Sequence, residues 1–354
     1  MSNVVLRSSK VTIGLDLGDR SSRIYEVDAR GRRRAEASIA TTRQGIAQYF
    51  GQRRRCRVIV EAGTHSPWVS RELATLGHEV VVANPSAMFG TRRRRKRNDL
   101  LDAEFLARQG RADVQLLHPI AHRRPETQQH LEVLRARDQL VRTRTQLINH
   151  VRGAVKTVGV RIRSCSTDAF VDRAAPDIPD DLHPALQPVL EIIRELTRRI
   201  RDADHHIRTL VRERYPVAAR LQQPQGVGPL TALAFTLLVD DPTRFRRGRD
   251  VGAYFGLVPR LDESSASRPQ LRITKSGDEL GRRLLVSAAQ YILGPFGPDC
   301  DLRRFGEAIA QRGGNNAKKR AAVAVARKLA VLLHHLWVTD EPYDPDHVLK
   351  RRSA

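Results

Sequence analysis

A seven-residue apolar repeat in the middle of the chain limits the folds that are open to it. Two positions of this repeat are filled by Leu186, Ile193, Ile200 and Ile207 and by Val189, Leu196, Ala203 and Leu210. The spacing places both sets on one side of a long helix, where a second helix has to cover them. The repeat therefore predicts a long, coiled-coil-like helix at the centre of the chain.

A less regular repeat of the same period precedes it. One position of this repeat holds Val133, Leu140 and Leu147, and the next position holds Leu134, Val141, Ile148 and Val155. The stretch AAPDIPDDLHP, rich in Pro and Asp, lies between the two repeats and predicts a break. Residues 121–215 are thus expected to form two long helices joined by a loop. We interpret them as a coiled-coil linker and dimerisation segment; a helical hairpin packed on its own domain is the alternative.

Residues 1–120 show an alternation of strand and helix patterns. Strands are predicted by VTIGLDLG, RVIVEAG and HEVVVAN, and by SRIYEVDARGR with a turn at Gly31. PWVSRELATLG predicts an amphipathic helix that ends at Gly77. NDLLDAEFLARQG predicts a helix that ends at Gly110, with Asn98 or Asp99 as its cap. Strands and helices joined by short connections predict an α/β domain.

Residues 216–340 predict a third, mostly helical domain. Gly226-Val227-Gly228 lies between two helical segments, as in a helix–hairpin–helix element whose glycine turn offers backbone N–H groups to a phosphate. A polar loop with three serines and a basic helix follow, and RGGNNAKKRAAVAVARKLAVLLHHLW predicts a final helix with a basic start. Residues 341–354 are expected to form a frayed tail.

The charge of the chain indicates its partner. The sequence has 62 Lys and Arg against 39 Asp and Glu, a formal net charge of +23. A positive field of this size favours a polyanion, most simply nucleic acid. Aromatic residues make up only 5% of the chain, so extensive base stacking is not expected. Three well-separated cysteines predict neither a zinc cluster nor disulfides. Without a long apolar window, the chain is expected to lack a membrane span and to be cytoplasmic.

Four carboxylates follow a pattern that indicates a metal site. Asp16 and Glu61 each close an apolar strand, and Asp99 and Asp102 are three residues apart on one helix face. Carboxyl ends of strands in α/β sheets are the usual place for catalytic groups. Converging carboxylates repel one another unless cations neutralise them, and oxygen ligands select Mg²⁺ or Mn²⁺. Each residue alone has a simpler explanation, since Asp16 can cap a turn and Asp99 can cap a helix.

Several sequence blocks together resemble the DEDD-type transposases of bacterial insertion sequences, a family related to the Piv DNA invertase. The resemblance rests on DLG at Asp16, VEAG at Glu61, RNDLLDAEFLA at Asp99 and Asp102, GVGPLTA, YFGLVPR, ITKSGDELGRRLLVSAAQYILGPFG and RGGNNAKKRAAVAVARKLAVLLH. It covers nearly the whole chain in order. It implies a RuvC-like, ribonuclease-H-like fold for residues 1–120 and a transposase domain with a catalytic serine for residues 216–340.

The resemblance implies that a serine attacks a DNA phosphate with help from the metal-bound carboxylates. In the family this serine lies between a GLxP motif and an ITKxG motif, commonly before a glycine. Ser264 occupies that position here, and Ser265 stands where the glycine is usual. Because Ser adopts a positive φ less easily than Gly, the local backbone is expected to differ from that of the family. Ser264 is the expected nucleophile, with Ser265 as the alternative. A flexible polar loop without a catalytic role is the simpler interpretation.

Three basic clusters are candidate nucleic-acid contacts. The first is Arg92, Arg93, Arg94, Arg95, Lys96 and Arg97, the second is Lys275, Arg282 and Arg283, and the third is Lys318, Lys319 and Arg320. Arginine and lysine hold phosphate backbones and add affinity with little sequence selectivity. A solvated face without contacts is the alternative for each cluster.

The resemblance also implies the partners. They are donor and target DNA, a structured noncoding guide RNA that pairs with both, and a homodimer that forms a tetramer when two DNA sites meet. A composite site, with carboxylates of one copy beside Ser264 of another, is implied as well. Two alternatives remain: a metal-dependent junction nuclease that uses water, and a non-catalytic nucleic-acid scaffold. IGLDLGDRSSRI also resembles the first phosphate loop of actin-like sugar kinases, but no adenosine loop is evident.

Overall fold

A computed structural model describes residues 11–85, 99–260 and 271–347. The chain divides between His122 and Arg123 into two compact units. Unit 1 is a mixed α/β structure, and unit 2 is built from helices. The predicted loop with Ser264 and Ser265 and the cluster Arg92 to Arg97 lie outside the described residues.

Unit 1 is built on one five-stranded sheet. Its strands are β1 (Val11–Asp16), β2 (Ser21–Asp28), β3 (Arg33–Ala40), β4 (Arg57–Glu61) and β5 (Glu79–Ala83), in the order β3-β2-β1-β4-β5. β4 runs parallel to β1 and β5, whereas β2 runs antiparallel to β1 and β3. This mixed sheet is compatible with the predicted ribonuclease-H-like domain. The sequence patterns did not indicate β3, whose alternating side chains are half-buried or exposed.

Helices cover both faces of this sheet. They are α1 (Arg43–Phe50), α2 (Ser66–Thr75) and α3 (Asp99–Ala112). Ile13, Leu15, Val58 and Val60 belong to the core that also contains apolar side chains of α1 and α2. Because side chains of a strand alternate between faces, Gly14 and Ile59 point the other way, toward α3.

The predicted end of α3 at Gly110 is wrong, because the helix continues to Ala112. Gly110 is instead a packing position. A Cβ atom there would lie 2.3 Å from the Ile59 side chain of β4. The helix passes so close to the sheet that only glycine fits.

Unit 2 contains two long helices and a cluster of shorter ones. The helices are α4 (Pro125–Thr157), α5 (Phe170–Ala174), α6 (His183–Glu213), α7 (Pro216–Arg220), α8 (Pro229–Val239), α9 (Asp250–Tyr254), α10 (Glu279–Leu293), α11 (Asp301–Gln311) and α12 (Ala317–Thr339). Gly226, with φ +89°, forms the predicted glycine turn between α7 and α8.

α4 and α6 form the predicted pair of long helices, as a hairpin within one chain. Leu186, Ile193, Ile200 and Ile207 are at most 3% exposed. One end of the hairpin shares a core with residues 148–178, and the other end joins the core of the C-terminal helices. The side chains at the first position of the repeat therefore pack against residues of the same chain, as expected for a helical hairpin packed on its own domain. Dimerisation through other residues stays a prediction.

A buried arginine lies midway along this hairpin. The Arg144 guanidinium donates to the Asp168 carboxylate at 2.7 Å and to the Thr197 hydroxyl of α6 at 3.2 Å. A polar residue in an otherwise apolar helix pair favours one register, because other registers leave the charge without partners. Arg144 thus fixes how α4 and α6 align.

The C-terminal core is formed around α8 and α12. α12 is long and apolar enough to cross a bilayer by composition alone, but half of its apolar window is buried inside the protein. Leu329 and Leu333 of α12 are fully buried among α8 and α10 side chains. Its apolar composition is therefore explained by its position in the core of unit 2.

The predicted frayed tail is wrong for residues 341–347. The Tyr343 N–H donates to the Gln223 side chain at 2.8 Å, and the Asp301 N–H donates to the Pro345 carbonyl at 2.8 Å. Arg304 also pairs with Asp346 at 2.5 Å. These contacts hold the segment against α11 and the end of α7, and residues 348–354 lie outside the described part.

Candidate catalytic and nucleic-acid-binding site

Asp16 and Glu61 end two neighbouring parallel strands in register. Leu15 pairs with Val60 in the ladder, and each strand continues by one residue, to Asp16 and Glu61 respectively. Asp16 shares the strand face of Gly14, and Glu61 shares the face of Ile59. Both carboxylates thus lie on the α3 side of the sheet, at its carboxyl edge, and both are partly exposed.

α3 approaches this edge closely enough to bring a further carboxylate to it. A Cβ atom on Gly14 would lie only 1.9 Å from the Ala103 carbonyl oxygen, so the helix backbone rests on β1 at that point. Asp102 precedes Ala103 and is partly exposed. The C-terminal part of α3 lies over the opposite end of β4, where the Arg57 guanidinium donates to the Gly110 carbonyl at 3.2 Å. The start of α3 therefore faces the carboxyl edge.

The described residues do not contain a complete metal site. Within residues 11–85, 99–260 and 271–347, no three His, Cys, Asp or Glu side chains are grouped closely enough to hold a metal ion. Asp99 is the first residue of α3, but its side chain lies outside the described part of the chain. The structure thus places Asp16, Glu61 and Asp102 around one edge, and the four-carboxylate site stays a prediction.

His65 lies beside the same edge, immediately before α2. Its Nδ1 accepts a hydrogen bond from the Trp68 indole N–H at 3.2 Å, and its Nε2 lies 3.5 Å from an Asp19 carboxylate oxygen. These contacts use both ring nitrogens. His65 therefore helps to position the β4–α2 connection.

In unit 2, the segments on both sides of the serine loop are held together. Pro259 pairs with Ile273 in an isolated antiparallel bridge. The Arg260 N–H donates to the Arg272 carbonyl at 3.0 Å, and the Thr274 N–H donates to the Val258 carbonyl at 2.9 Å. The ends of the loop that contains Ser264 are thus fixed against each other, although the loop itself lies outside the described residues.

Two glycines make this loop base possible. Gly256 (φ +65°) and Gly277 (φ +82°) both adopt the left-handed conformation. A Cβ on Gly256 would lie 2.1 Å from the Ser276 carbonyl oxygen, and one on Gly277 would lie 2.0 Å from the Tyr254 carbonyl oxygen. The YFGLVPR and ITKSG blocks therefore contain a pair of glycines at which two backbone segments pack directly on each other.

The predicted basic residues of unit 2 have different surroundings. Arg282 donates to the carbonyls of Phe255 and Ser276, and Arg283 pairs with Asp138 at 2.5 Å. Arg282 therefore stabilises the loop base, and Arg283 connects α10 to α4. Lys318 and Lys319 are exposed at the start of α12. Arg320, also exposed, donates to the Gly313 carbonyl at 2.8 Å.

A groove of about 1320 Å³ joins the loop base to α12. Pro259 and Ile273 of the loop base line it, with apolar side chains such as Phe305 and Val323. The predicted cations along it are Lys275, Lys319 and Arg320, whereas Arg249, Arg272, Arg327 and Lys328 were not predicted from the sequence. Asp301, Glu341 and Asp344 also line the groove. The spacing of Arg320 and Arg327, seven residues apart on one helix, was a usable signal; Arg249 and Arg272 come together only in the fold.

Comparisons with known proteins match both units. A DEDD transposase model of the IS110 type matches residues 13–159. A second model, described as the transposase IS116/IS110/IS902 family, matches residues 218–299. The first match includes Asp16, Glu61, Asp99 and Asp102, and the second includes Ser264.

Three relatives match this chain over more than two thirds of their own length. A putative transposase, y4pF/y4sB, of Sinorhizobium fredii is 30% identical over 310 residues, 85% of this chain and 78% of the relative. A probable family 20 transposase of Pseudomonas aeruginosa is 29% identical over 94% of this chain and 98% of its own. The transposase of insertion sequence IS1111A of Coxiella burnetii is 30% identical over 70% of this chain and 68% of its own.

These matches, with the α/β unit and the basic helical unit, define the class of the protein: it is a DNA transposase. Within that class, the chain belongs to the IS116/IS110/IS902 family of insertion-sequence transposases.

Proposed function

We propose that this transposase cuts and rejoins DNA with Ser264 as the nucleophile, assisted by a divalent cation held by Asp16, Glu61, Asp99 and Asp102. The observation that carries this proposal is the register of β1 and β4. It places two carboxylates side by side at the carboxyl edge of the sheet, on the face that α3 covers. Structural ion pairing alone does not require such a register.

The residues at this edge fit a hard divalent cation by their chemistry. All four are carboxylates, and Asp16, Glu61 and Asp102 are accessible to solvent in part. Oxygen donors of this kind select Mg²⁺ or Mn²⁺ over softer metals. When bound, such an ion would stabilise negative charge on the phosphate oxygens during the reaction.

The chain's own groups would perform the covalent step. The Ser264 hydroxyl oxygen attacks the phosphorus of a DNA phosphodiester, a serine–phosphate bond forms, and the bond to one sugar oxygen breaks. The serine proton leaves, and the released sugar oxygen gains a proton. Because the phosphodiester energy is kept in the serine ester, attack by another sugar hydroxyl rejoins DNA without ATP. The fixed base of the serine loop supports this assignment, since a nucleophile needs a defined position.

The basic groove next to the loop base would hold the backbone of the strand that is cut. Seven cations line it, namely Arg249, Arg272, Lys275, Lys319, Arg320, Arg327 and Lys328. Phosphate contacts position a strand but do not identify its sequence. Choice of sequence would fall to a structured noncoding RNA that pairs with donor and target DNA. We further propose that the protein acts as a homodimer and that two dimers meet on the DNA as a tetramer.

Replacement of the serines tests the nucleophile. Ser264→Ala should abolish a denaturation-resistant protein–DNA adduct and strand exchange, while DNA binding is retained. Full recombination by Ser264→Ala would remove Ser264 from the mechanism. Activity of the double variant Ser264→Ala/Ser265→Ala would exclude serine chemistry at this loop. Cleavage without any adduct in the unmodified protein would favour the alternative, a junction nuclease that uses water.

A further inference from the structure

The far end of the α4–α6 hairpin contains a second basic pocket. α4 ends at Thr157, and Gly159 (φ +80°) turns the chain. A pocket of about 540 Å³ opens there, lined by Arg152, Lys156, Gly159, Val160, Arg161 and Ile162. Three of these six residues carry a cationic side chain. We call Arg152, Lys156 and Arg161 the tip cations.

Three acidic residues near the tip pair with other arginines. The pairs are Asp168 with Arg144 at 2.7 Å, Asp177 with Arg163 at 3.3 Å and Asp172 with Arg194 at 3.7 Å. Among the residues that the structure describes, no carboxylate pairs with a tip cation. Three like charges around one pocket repel one another, and an anion in the pocket would remove that repulsion.

Arg152 is held at this pocket by an aromatic ring and a thiol. Its guanidinium lies over the Phe170 ring, 5.4 Å from the centroid, and one terminal nitrogen is 3.9 Å from the Cys165 sulfur. Its Nε is buried, and within the described part of the chain it has no hydrogen-bond partner. A buried N–H without an acceptor is costly. The ring and the thiol hold the guanidinium at the pocket, ready to donate to an anion.

We propose that the tip pocket binds a backbone phosphate of a nucleic acid. Arginine presents several N–H donors in a fork that matches phosphate oxygens, and Lys156 and Arg161 are exposed beside it. Residue 152 is 18 positions beyond Leu134, whose side chain belongs to the C-terminal core, so roughly 27 Å of helix separate the tip from that core. The tip is therefore a binding region separate from the groove at the loop base.

This inference depends on the proposed function only in that nucleic acid is the partner. It requires neither Ser264 nor a metal. A binding experiment therefore tests it apart from the catalytic assignment.

The test compares two sets of charge removals in the full-length protein. The tip variant is Arg152→Gln/Lys156→Gln/Arg161→Gln. The matched control is Arg163→Gln/Arg194→Gln/Arg201→Gln, which removes the same charge from the same hairpin at arginines that face a carboxylate. A further variant, Lys156→Gln/Arg161→Gln, changes only exposed side chains and protects the test against misfolding. Circular dichroism checks the fold of each.

Kd is measured by fluorescence anisotropy between about 50 and 200 mM salt, with duplex DNA and with a structured RNA hairpin. The tip variant should bind at least about tenfold more weakly at about 0.15 M salt. The slope of the logarithm of the duplex-DNA binding constant against the logarithm of the salt concentration should become less steep in the tip variant. The magnitude of this slope should fall by about 0.9 for each duplex phosphate that the protein no longer neutralises, and this change should exceed any change in the control. The double variant should show part of the same effect. The nucleic acid whose binding weakens identifies the source of the phosphate.

Four results would overturn the inference. One is a tip variant that matches the control with both nucleic acids. Another is binding of inorganic phosphate, detected by calorimetry, that disappears in the tip variant while both nucleic acids bind as before. A third is weaker self-association of the tip variant in sedimentation with unchanged nucleic-acid binding. The fourth is an unmodified chain that binds neither nucleic acid, and this result alone would overturn the proposed function as well.

Discussion

At the scale of single residues, glycine determines where backbone segments of this transposase can touch. Gly14 lets α3 rest on β1 beside Asp16, and Gly256 and Gly277 let two segments meet below the serine loop. At all three positions a Cβ would lie 2.1 Å or less from a carbonyl oxygen. Rigid backbone cannot move away as a flexible side chain can. Both proposed halves of the active site therefore depend on contacts that only glycine permits.

Substitution of the loop-base glycines should destabilise unit 2. Gly277→Ala combines a positive φ with overlap on the Tyr254 carbonyl, so we expect a loss of about 2–4 kcal/mol in the free energy of unfolding. Gly256→Ala should behave alike. Gly153→Ala is the control, because nothing lies within 4 Å of its added Cβ. Gly153 is inside α4, so that change should stabilise by about 0.5–1 kcal/mol. Urea unfolding measures all three, and equal stabilities for Gly277→Ala and the control would contradict the geometry.

The strand-end carboxylates should matter for chemistry and little for folding. Asp16→Asn and Glu61→Gln each keep the size of the side chain but weaken a cation ligand. We expect at least about a hundredfold loss of strand cleavage, corresponding to several kcal/mol of lost charge stabilisation, with DNA affinity close to that of the unmodified protein. Asp19→Asn is the matched control, since Asp19 lies three residues away and is 93% exposed. A gel assay of cleavage in Mg²⁺ compares them, and equal loss in Asp19→Asn would point to a general charge effect.

At the scale of elements, the sequence predicted what depends on local periodicity. β1, β4 and β5 follow from short apolar runs, and α6 follows from its heptads. The helix that packs against α6 could not be predicted from the sequence. A heptad repeat shows that an apolar stripe on the helix is covered, but it does not show whether the covering helix belongs to the same chain. The fate of residues 341–347 also depends on tertiary contacts, since Tyr343 and Asp346 are held by residues far away in sequence.

The residues of the candidate site differ in how far the sequence predicts them. The placement of Asp16 and Glu61 at strand ends could be predicted, because each follows a short apolar run, and the parallel pairing of β1 and β4 brings these ends together. Only some of the cations that line the groove were predicted, because Arg249 and Arg272 are isolated in the sequence and reach the groove through folding. Arg144 and the tip cations were not singled out, since their importance comes from burial and from the pairing of neighbouring acids.

The hydrogen bonds between Asp240 and the start of α4 should make the stability of the fold depend on pH. Asp240, after α8, accepts hydrogen bonds from the Arg124 N–H (3.1 Å), the Arg124 side chain (3.0 Å) and the Thr127 hydroxyl (2.7 Å). Burial raises the pKa of Asp240, but these hydrogen bonds outweigh burial and hold the pKa below its ordinary value of 3.8. A lowered pKa in the folded state means that the ionised carboxylate stabilises the fold above that ordinary value. The contribution is lost as the pH falls through the lowered pKa.

Asp240→Asn should therefore destabilise the protein by about 1–2 kcal/mol at pH 7, the size expected for hydrogen bonds to a charged group. Asn has nearly the same size and shape as Asp, so the change adds little backbone strain at this residue, whose φ is 62° and ψ is −51°. The difference from the unmodified protein should shrink as the pH drops below 4. Thermal unfolding between pH 2.5 and 7 measures it, with exposed Asp181→Asn as the control. A difference that stays constant with pH would assign the loss to packing.

At the scale of the whole molecule, the proposed catalytic groups are divided between two units. Asp16, Glu61, Asp99 and Asp102 belong to unit 1, and Ser264 belongs to unit 2. A chain organised in this way can complete a site from its own two units or from units of two copies. The resemblance to the DEDD-type family implies the second arrangement, which makes assembly a requirement for cleavage.

Mixing two inactive variants distinguishes these arrangements. One chain carries Asp16→Asn and the other carries Ser264→Ala. If each site uses one chain's own units, no chain has both groups intact, and the mixture stays inactive. If each site is shared, a mixed dimer contains one site with intact carboxylates from the Ser264→Ala chain and an intact serine from the Asp16→Asn chain.

Random mixing in equal amounts makes about half of the dimers mixed, so about a quarter of all sites should form the protein–DNA adduct. The adduct is counted on a denaturing gel, because it requires a single site, whereas full recombination requires several. The adduct should also be confined to the Asp16→Asn chain, which is recognised by a size tag. Adduct on that chain only after mixing establishes a shared site. A mixture as inactive as its separate components, in dimers shown by sedimentation to be mixed, would mean that each copy cuts DNA with its own two units.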